Sequence, residues 1–233
     1  VELARLIARR APDLVGLQEV SELTCKETEL PRAIPNACQS ATIADAFNDH
    51  LEETLRELSR LGRPYDNVAV VNNVDLTSVL GIPGFPFPGL PVDLDLNGVP
   101  DIALTLLDRD VILARETDSV QAVAVPFSSI CGQTITLTEG TTVEVPGVPG
   151  ENGSPGCNYQ NILSLPTALE DANGEPVIVE VQRGLVAVDA LVGDKLYRFV
   201  NTHLEISNPI PADAFPPLAP DQVPGGSVQA AQA

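Results

Sequence analysis

The sequence predicts an α/β (α+β) domain in which helices lie outside a largely antiparallel sheet system. Segments with helical apolar spacing alternate with β-rich runs, and no repeat of about 20 to 50 residues is visible. A two-residue Gly193-Asp194 turn joins the last two β-runs as an antiparallel pair. With 233 residues, 44% of them apolar, the chain is long enough for one domain, 1–233, with a substantial core.

Two segments have the apolar period of an amphipathic helix. The first covers residues 1–10, and Pro12 ends it. The second runs from Ala41 to Gly62, where His50 lies among polar neighbours and is expected at the surface. Its apolar residues recur at intervals of three or four: Ile43, Phe47, Leu51, Leu55 and Leu58.

Short apolar or β-branched runs predict the strands. The first, Leu14–Leu17, is typical of a strand buried on both faces, and it delivers Gln18 and Glu19 to its end. A Pro-rich run at 81–100 predicts an exposed loop, and 120–176 predicts an inserted β-arm. The other predicted strands cover 66–74, 110–114, 177–181, 185–191 and 196–203.

The charge balance disfavours some partners. Asp and Glu total 32 against 13 Lys and Arg, which gives a net charge of −19. A field of this sign repels duplex nucleic acid, although a bound divalent cation reverses the sign locally. No apolar stretch approaches the roughly 20 residues of a membrane-spanning helix, so no transmembrane segment is expected.

Four cysteines, at positions 25, 38, 131 and 157, form no C-x-x-C pair, which favours disulfides over a zinc site. Sequence alone leaves three pairings open, and loop proximity favours Cys25 with Cys38 and Cys131 with Cys157. Free buried thiols are the alternative. Disulfides indicate an oxidising compartment, so we expect a secreted or periplasmic protein.

Two segments resemble motifs of the endonuclease/exonuclease/phosphatase superfamily, which includes deoxyribonuclease I. They are residues 11–20, APDLVGLQEV, and residues 198–205, RFVNTHLE. Residues 108–115, DRDVILAR, resemble the strand between those motifs. The resemblance implies a four-layer sandwich of two β-sheets flanked by helices.

The resemblance also implies a metal-dependent phosphoesterase site. Glu19 is then a ligand of a divalent cation, normally Mg²⁺, and His203 contacts the scissile phosphate. Asn201 shares a strand face with His203 and is expected to orient it or to contact the substrate. The alternatives are a salt-bridged glutamate, a core histidine and a structural amide. Asp110 and Arg115 are explained equally well by an ion pair, so they are left out of the site.

Two motifs of that superfamily, Gly-Asp-Phe-Asn and Ser-Asp-His, do not occur in the sequence. They provide the general base and the remaining metal contact. The chain also begins without Met, so we expect a fragment that lacks both ends of the domain and is inactive alone.

These features predict a phosphodiester hydrolase that acts on an extracellular phosphoester such as a lipid head group. One hypothesis is that the apolar, Phe-bearing loop 82–90 is its peripheral lipid contact, and the alternative is an ordinary Pro-stiffened surface loop. A nuclease of the same family and a non-catalytic secreted binding domain are the alternatives.

Overall fold

The structure is a computed structural model that describes residues 1–28, 30–31, 33–40, 43, 47–76, 89–129, 131–136, 140, 142–144, 147–150, 154–159, 163–170 and 174–204. These residues form two α-helices, α1 (Glu2–Arg10) and α2 (His50–Arg60), two short 3-10 helices and fourteen strands. The strands are β1 (Leu14–Leu17), β2 (Glu22–Glu27), β3 (Tyr65–Asp75), β4 (Leu90–Val92), β5 (Ile102–Arg115), β6 (Val120–Ala124), β7 (Thr134–Thr136), β8 (Thr142–Glu144), β9 (Val148–Pro149), β10 (Cys157–Asn158), β11 (Leu163–Glu170), β12 (Pro176–Val181), β13 (Gly184–Val192) and β14 (Lys195–Thr202).

The first sheet is organised around β5. Strands β1 and β2 pair with successive parts of one edge of β5, while β3 and β4 pair with its other edge, all antiparallel. The segment Val111–Ala114 is buried throughout, because both faces of the sheet are covered at this point. The predicted strand 110–114 is therefore the end of a much longer one.

The second sheet has the order β14-β13-β10-β9, and β6 also pairs with β13. The two-residue turn at Gly193 joins β13 and β14 in the predicted antiparallel register. This sheet packs face to face on the first sheet. The buried apolar residues between them are Ala69, Val71 and Ile112 from the first sheet and Val186, Val188 and Ala190 from the second.

Both α-helices cover the other face of the first sheet. Ala4, Ile7, Leu51 and Leu58 pack there with Val111 and Leu113. The predicted α/β sandwich of two antiparallel sheets with flanking helices is thus confirmed. The described residues form three of its layers: helices, first sheet and second sheet.

The helix predicted over 41–62 is interrupted: Ile43 is helical, residues 41–42 and 44–46 lie outside the described residues, and α2 begins at His50. Residues 47–49 are not helical, and Asp49 is the N-cap of α2, since its side chain accepts hydrogen bonds from the N–H groups of Leu51 and Glu52. The apolar spacing continues across this boundary, so periodicity alone predicted one helix over 41–62. His50 is exposed, as expected.

The predicted β-arm at 120–176 is also corrected. Strands β6, β9 and β10 belong to the second sheet, and only β7–β8 and β11–β12 form separate two-stranded sheets among the described residues. Of the Pro-rich loop at 81–100, the part from 77 to 88 lies outside the described residues, while β4 lies in the described part and pairs with β5.

Two disulfides, Cys25–Cys38 and Cys131–Cys157, join the pairs that loop proximity favoured. They fit an extracellular or periplasmic location, where disulfides persist. Among the described residues, no helix has the length and apolar character needed to cross a bilayer.

Replacing Cys131 and Cys157 together by alanine should lower the free energy of unfolding by about 3 to 4 kcal/mol, because the cross-link restricts the unfolded chain. Urea denaturation followed by circular dichroism measures this loss. The matched control is the Cys25 and Cys38 double variant, whose loop spans 13 rather than 26 residues, so its loss should be slightly smaller. An unchanged urea midpoint for the Cys131 and Cys157 variant would contradict the assignment.

Candidate functional site

The ends of three strands meet at one edge of the sandwich. Glu19 follows β1, His203 follows β14, and Arg183 directly precedes β13. Side-chain and backbone contacts hold these ends together: Gln18 donates through Nε2 to the carbonyl of Thr202, and the His203 N–H donates to the carbonyl of Gly184 at 2.9 Å. The sandwich therefore brings together two residues that are far apart in the sequence and that the sequence analysis selected.

Glu19 has an unusual backbone conformation for a residue with a side chain. Its φ is 55°, in the left-handed region, and its N–H donates to Asp110 Oδ1 at 3.2 Å. The side chain is 64% exposed, with Oε1 3.6 Å from Arg183 Nη2 and 3.8 Å from His203 Nε2. Residues in such conformations cluster at functional sites, and here the carboxylate lies beside a guanidinium and an imidazole.

His203 lies between two carboxylates. Its side chain is 12% exposed, with Nε2 toward Glu19 and Nδ1 3.3 Å from Oδ1 of the fully buried Asp110. Nδ1 and Asp110 Oδ2 have no hydrogen-bond partner, so His203 and Asp110 lie close together without a hydrogen bond between them. The buried Asp110 carboxylate therefore lies behind the imidazole ring, on the side away from Glu19.

Arg183 and Asp108 complete the cluster. Arg183 Nη1 lies 3.4 Å from Asp108 Oδ2, and Ser21 Oγ donates to Asp108 Oδ1 at 2.9 Å. Burial raises the pKa of Asp108, and the charges of Asp110 and Glu19 act in the same direction, against the Ser21 hydrogen bond and Arg183. Carboxylates thus outnumber cations in this cleft.

Neither Arg183 nor Asp108 was predicted from the sequence as a site residue, and Asp110 was explained there equally well by an ion pair. A sequence signal for Arg183 does exist. Counting outward from the Gly193 turn places Gly184 opposite His203, and Arg183 is the next residue. No comparable local signal links Asp108 to Arg183 or Asp110 to His203, because those contacts cross between the two sheets. Arg115, also set aside, pairs with Asp13 at the C-terminal end of β5, beyond the cleft.

Asn201 bridges the two sheets. The amide is buried, and its Nδ2 donates to the carbonyls of Leu17 at 2.8 Å and Val111 at 3.0 Å. Gly16 leaves the space for it, since a Cβ there would lie 3.2 Å from Asn201 Cγ. These contacts match the structural-amide alternative, and a contact of Asn201 with substrate stays a prediction.

A second acidic group lies outside this cleft, at the start of β5. Carboxylate oxygens of Asp93, Asp95 and Asp101 lie within 4.8 Å of one another. The spacing D-x-D-x-N-G-x-x-D in residues 93–101 is the sequence signal that marks this loop, and the sequence analysis did not use it. Exposed acidic groups are common without a metal, so this group is no evidence for Mg²⁺.

Replacing Asn201 by alanine should lower the free energy of unfolding by about 1 to 3 kcal/mol, because two carbonyl groups lose their donor. Urea denaturation measures the change. Asn67→Ala is the control, since Asn67 is exposed on β3, and it should change stability by less than about 0.5 kcal/mol. If Asn201→Ala unfolds at the same urea concentration as the wild type, the bridging role is wrong.

Comparisons with protein-family models, with curated proteins and with solved structures found no match for this chain.

Proposed function

We propose that this chain provides part of the cleft of a metal-dependent phosphoesterase that hydrolyses an extracellular phosphoester. The observation that carries the proposal is the meeting of Glu19, His203 and Arg183 at one edge of the sandwich, with contacts of 3.6 and 3.8 Å to Glu19 Oε1. Two buried carboxylates, Asp108 and Asp110, lie behind them. A carboxylate, an imidazole and a guanidinium are the groups that phosphoryl chemistry uses.

Glu19 fits the role of a Mg²⁺ ligand. It is a largely exposed carboxylate at the mouth of the cleft, and Mg²⁺ is usually held by one or two carboxylates together with water and substrate phosphate. When bound, the ion supplies positive charge for the phosphoryl oxygens. The acidic surroundings support this assignment, because Asp108, Asp110 and Glu19 together would repel a phosphate that arrived without a cation.

His203 and Arg183 then act on the phosphate directly. His203 Nε2 lies on the side of the ring that faces Glu19, away from Asp110, and from there it would donate a hydrogen bond or a proton to a phosphoryl oxygen. Arg183 carries a planar guanidinium that matches phosphate geometry. The general base is not among these residues, and neither Gly-Asp-Phe-Asn nor Ser-Asp-His occurs in the sequence. The proposal therefore assigns hydrolysis to a longer protein that provides that base.

The substrate class is proposed from charge. A net charge of −19 favours a small or lipid-linked phosphoester over duplex nucleic acid. The Phe-bearing loop at 82–90, the proposed lipid contact, lies mostly outside the described residues. A nuclease and a non-catalytic binding domain are the competing outcomes of the experiments below.

In a longer protein that contains the two absent motifs, His203→Ala should lower kcat for bis(p-nitrophenyl) phosphate by roughly 100- to 10,000-fold, because a positioned proton donor is lost. Arg183→Gln should lower kcat/KM by about 10- to 100-fold through loss of a charged hydrogen bond. The matched control is Arg198→Gln, since Arg198 also pairs with an aspartate, Asp189, but does so on the exposed outer face of the second sheet. Equal losses in the two arginine variants would contradict the assignment of Arg183.

A substrate panel separates the proposed class from its rivals. We expect the longer protein to hydrolyse sphingomyelin vesicles and bis(p-nitrophenyl) phosphate faster than plasmid DNA, in each case only with Mg²⁺. Deleting residues 82–88, which leaves β4 intact, should reduce the activity on vesicles and leave that on bis(p-nitrophenyl) phosphate unchanged. Preferred cleavage of plasmid would support a nuclease, and no hydrolysis at all would support a binding domain. Activity retained in EDTA would exclude the metal mechanism.

A further inference from the structure

We infer that Arg109 is a positioning residue that holds Glu19 in its metal-binding conformation, an inference that rests on the proposed function. Three consecutive residues of β5, 108–110, accept hydrogen bonds from three consecutive residues of the loop after β1, 19–21. Asp110 accepts from the Glu19 N–H, the Arg109 carbonyl accepts from the Val20 N–H at 2.8 Å, and Asp108 accepts from Ser21 Oγ. Arg109 is the middle one of the three residues on β5.

The Arg109 side chain adds a second bond to the same loop residue. It is buried, and Nε donates to the carbonyl of Val20 at 3.2 Å. Both backbone polar groups of Val20 are therefore bonded to Arg109. Because Val20 directly follows Glu19, this pair of hydrogen bonds limits the movement of the Glu19 backbone.

The guanidinium also connects the loop to the start of α2. Nη2 donates to Asp49 Oδ1 at 2.7 Å, and Nη1 lies 3.5 Å from Glu22 Oε2. Asp49 is the N-cap of α2, and the His50 N–H donates to the Ser21 carbonyl at 3.1 Å. A helix end, a strand and the loop are thus joined through one buried cation.

Glu19 needs such support because its conformation is strained. Its left-handed φ of 55° persists only if its surroundings determine it, and its mostly exposed side chain has no close hydrogen bond of its own among the described contacts. Removing the guanidinium leaves the Val20 carbonyl without a donor and Asp49 and Glu22 without a cation. The loop then relaxes, and the Glu19 carboxylate moves away from Arg183 and His203.

Arg115 provides a matched control for a merely structural arginine. It lies on the same strand, donates to the carbonyl of Ala11 at 3.1 Å and pairs with Asp13. It therefore makes the same two kinds of contact as Arg109, but at the end of β5 away from Glu19.

The test measures Mn²⁺ binding through the NMR line broadening of the His203 ring, assigned with His203→Gln. This readout is local. The acidic loop at Asp101 precedes Asp110 by nine residues of extended chain, about 30 Å, so an ion held there broadens His203 little. Arg109→Gln should raise the Mn²⁺ concentration for half-broadening by about 10-fold or more, as loss of a ligand-orienting contact does. Arg115→Gln should leave that concentration unchanged while it lowers Tm.

Asp49→Asn is the milder variant in case Arg109→Gln fails to fold, since asparagine keeps the helix cap but removes the anion that holds the guanidinium. It should weaken Mn²⁺ binding several-fold at near-native Tm. In the Glu19→Gln background, Arg109→Gln should have no further effect. Unchanged binding in both single variants, or an equal loss in Arg115→Gln, would overturn the inference. If Glu19→Gln itself leaves binding unchanged, the proposed metal site fails first.

Discussion

The central strand β5 is the constraint on which the rest of this molecule depends. Every other described strand of the first sheet pairs with it, and its C-terminal half forms part of both apolar cores. Charged residues at 108–110 interrupt this buried strand. Buried charges are costly unless they are paired, and here each has a partner on the loop after β1, at the start of α2, or across the cleft. The strand that organises the core therefore also supports the cleft.

Local signals predicted much of the fold. Helix α1, strand β1 and the β13–β14 hairpin follow from periodicity and turn chemistry within a few residues, and their bounds agree closely with the structure. Helix α2 begins at His50 because Asp49 is its N-cap, and the spacing of apolar residues does not predict a cap. The full length of β5 and the place of β6 depend on pairing between distant segments, which local patterns do not specify.

The residues of the candidate site also divide into those that the sequence predicts and those that depend on contacts between distant segments. Glu19 and His203 were predicted from motif resemblance, and Arg183 follows from the hairpin register. Asp110 could not be assigned, because its contact with Glu19 spans 91 residues and exists only once the sheets have packed. The proposed phosphoesterase function depends on the charge arrangement rather than on any one residue: a phosphate in so acidic a cleft would need a cation between it and the carboxylates. Arg183 can be compared with Arg198, and Arg109 with Arg115. Each comparison separates an effect on the candidate site from an effect on stability.

Gly16 gives the sandwich a further property. The amide of Asn201 occupies the space that a side chain at position 16 would need, so the spacing between the ends of β1 and β14 depends on the smallest residue in the sequence. Glu19 and His203 lie just beyond those two strand ends. Any side chain at position 16 would therefore require Asn201 to move, in the part of the sandwich directly next to Glu19 and His203.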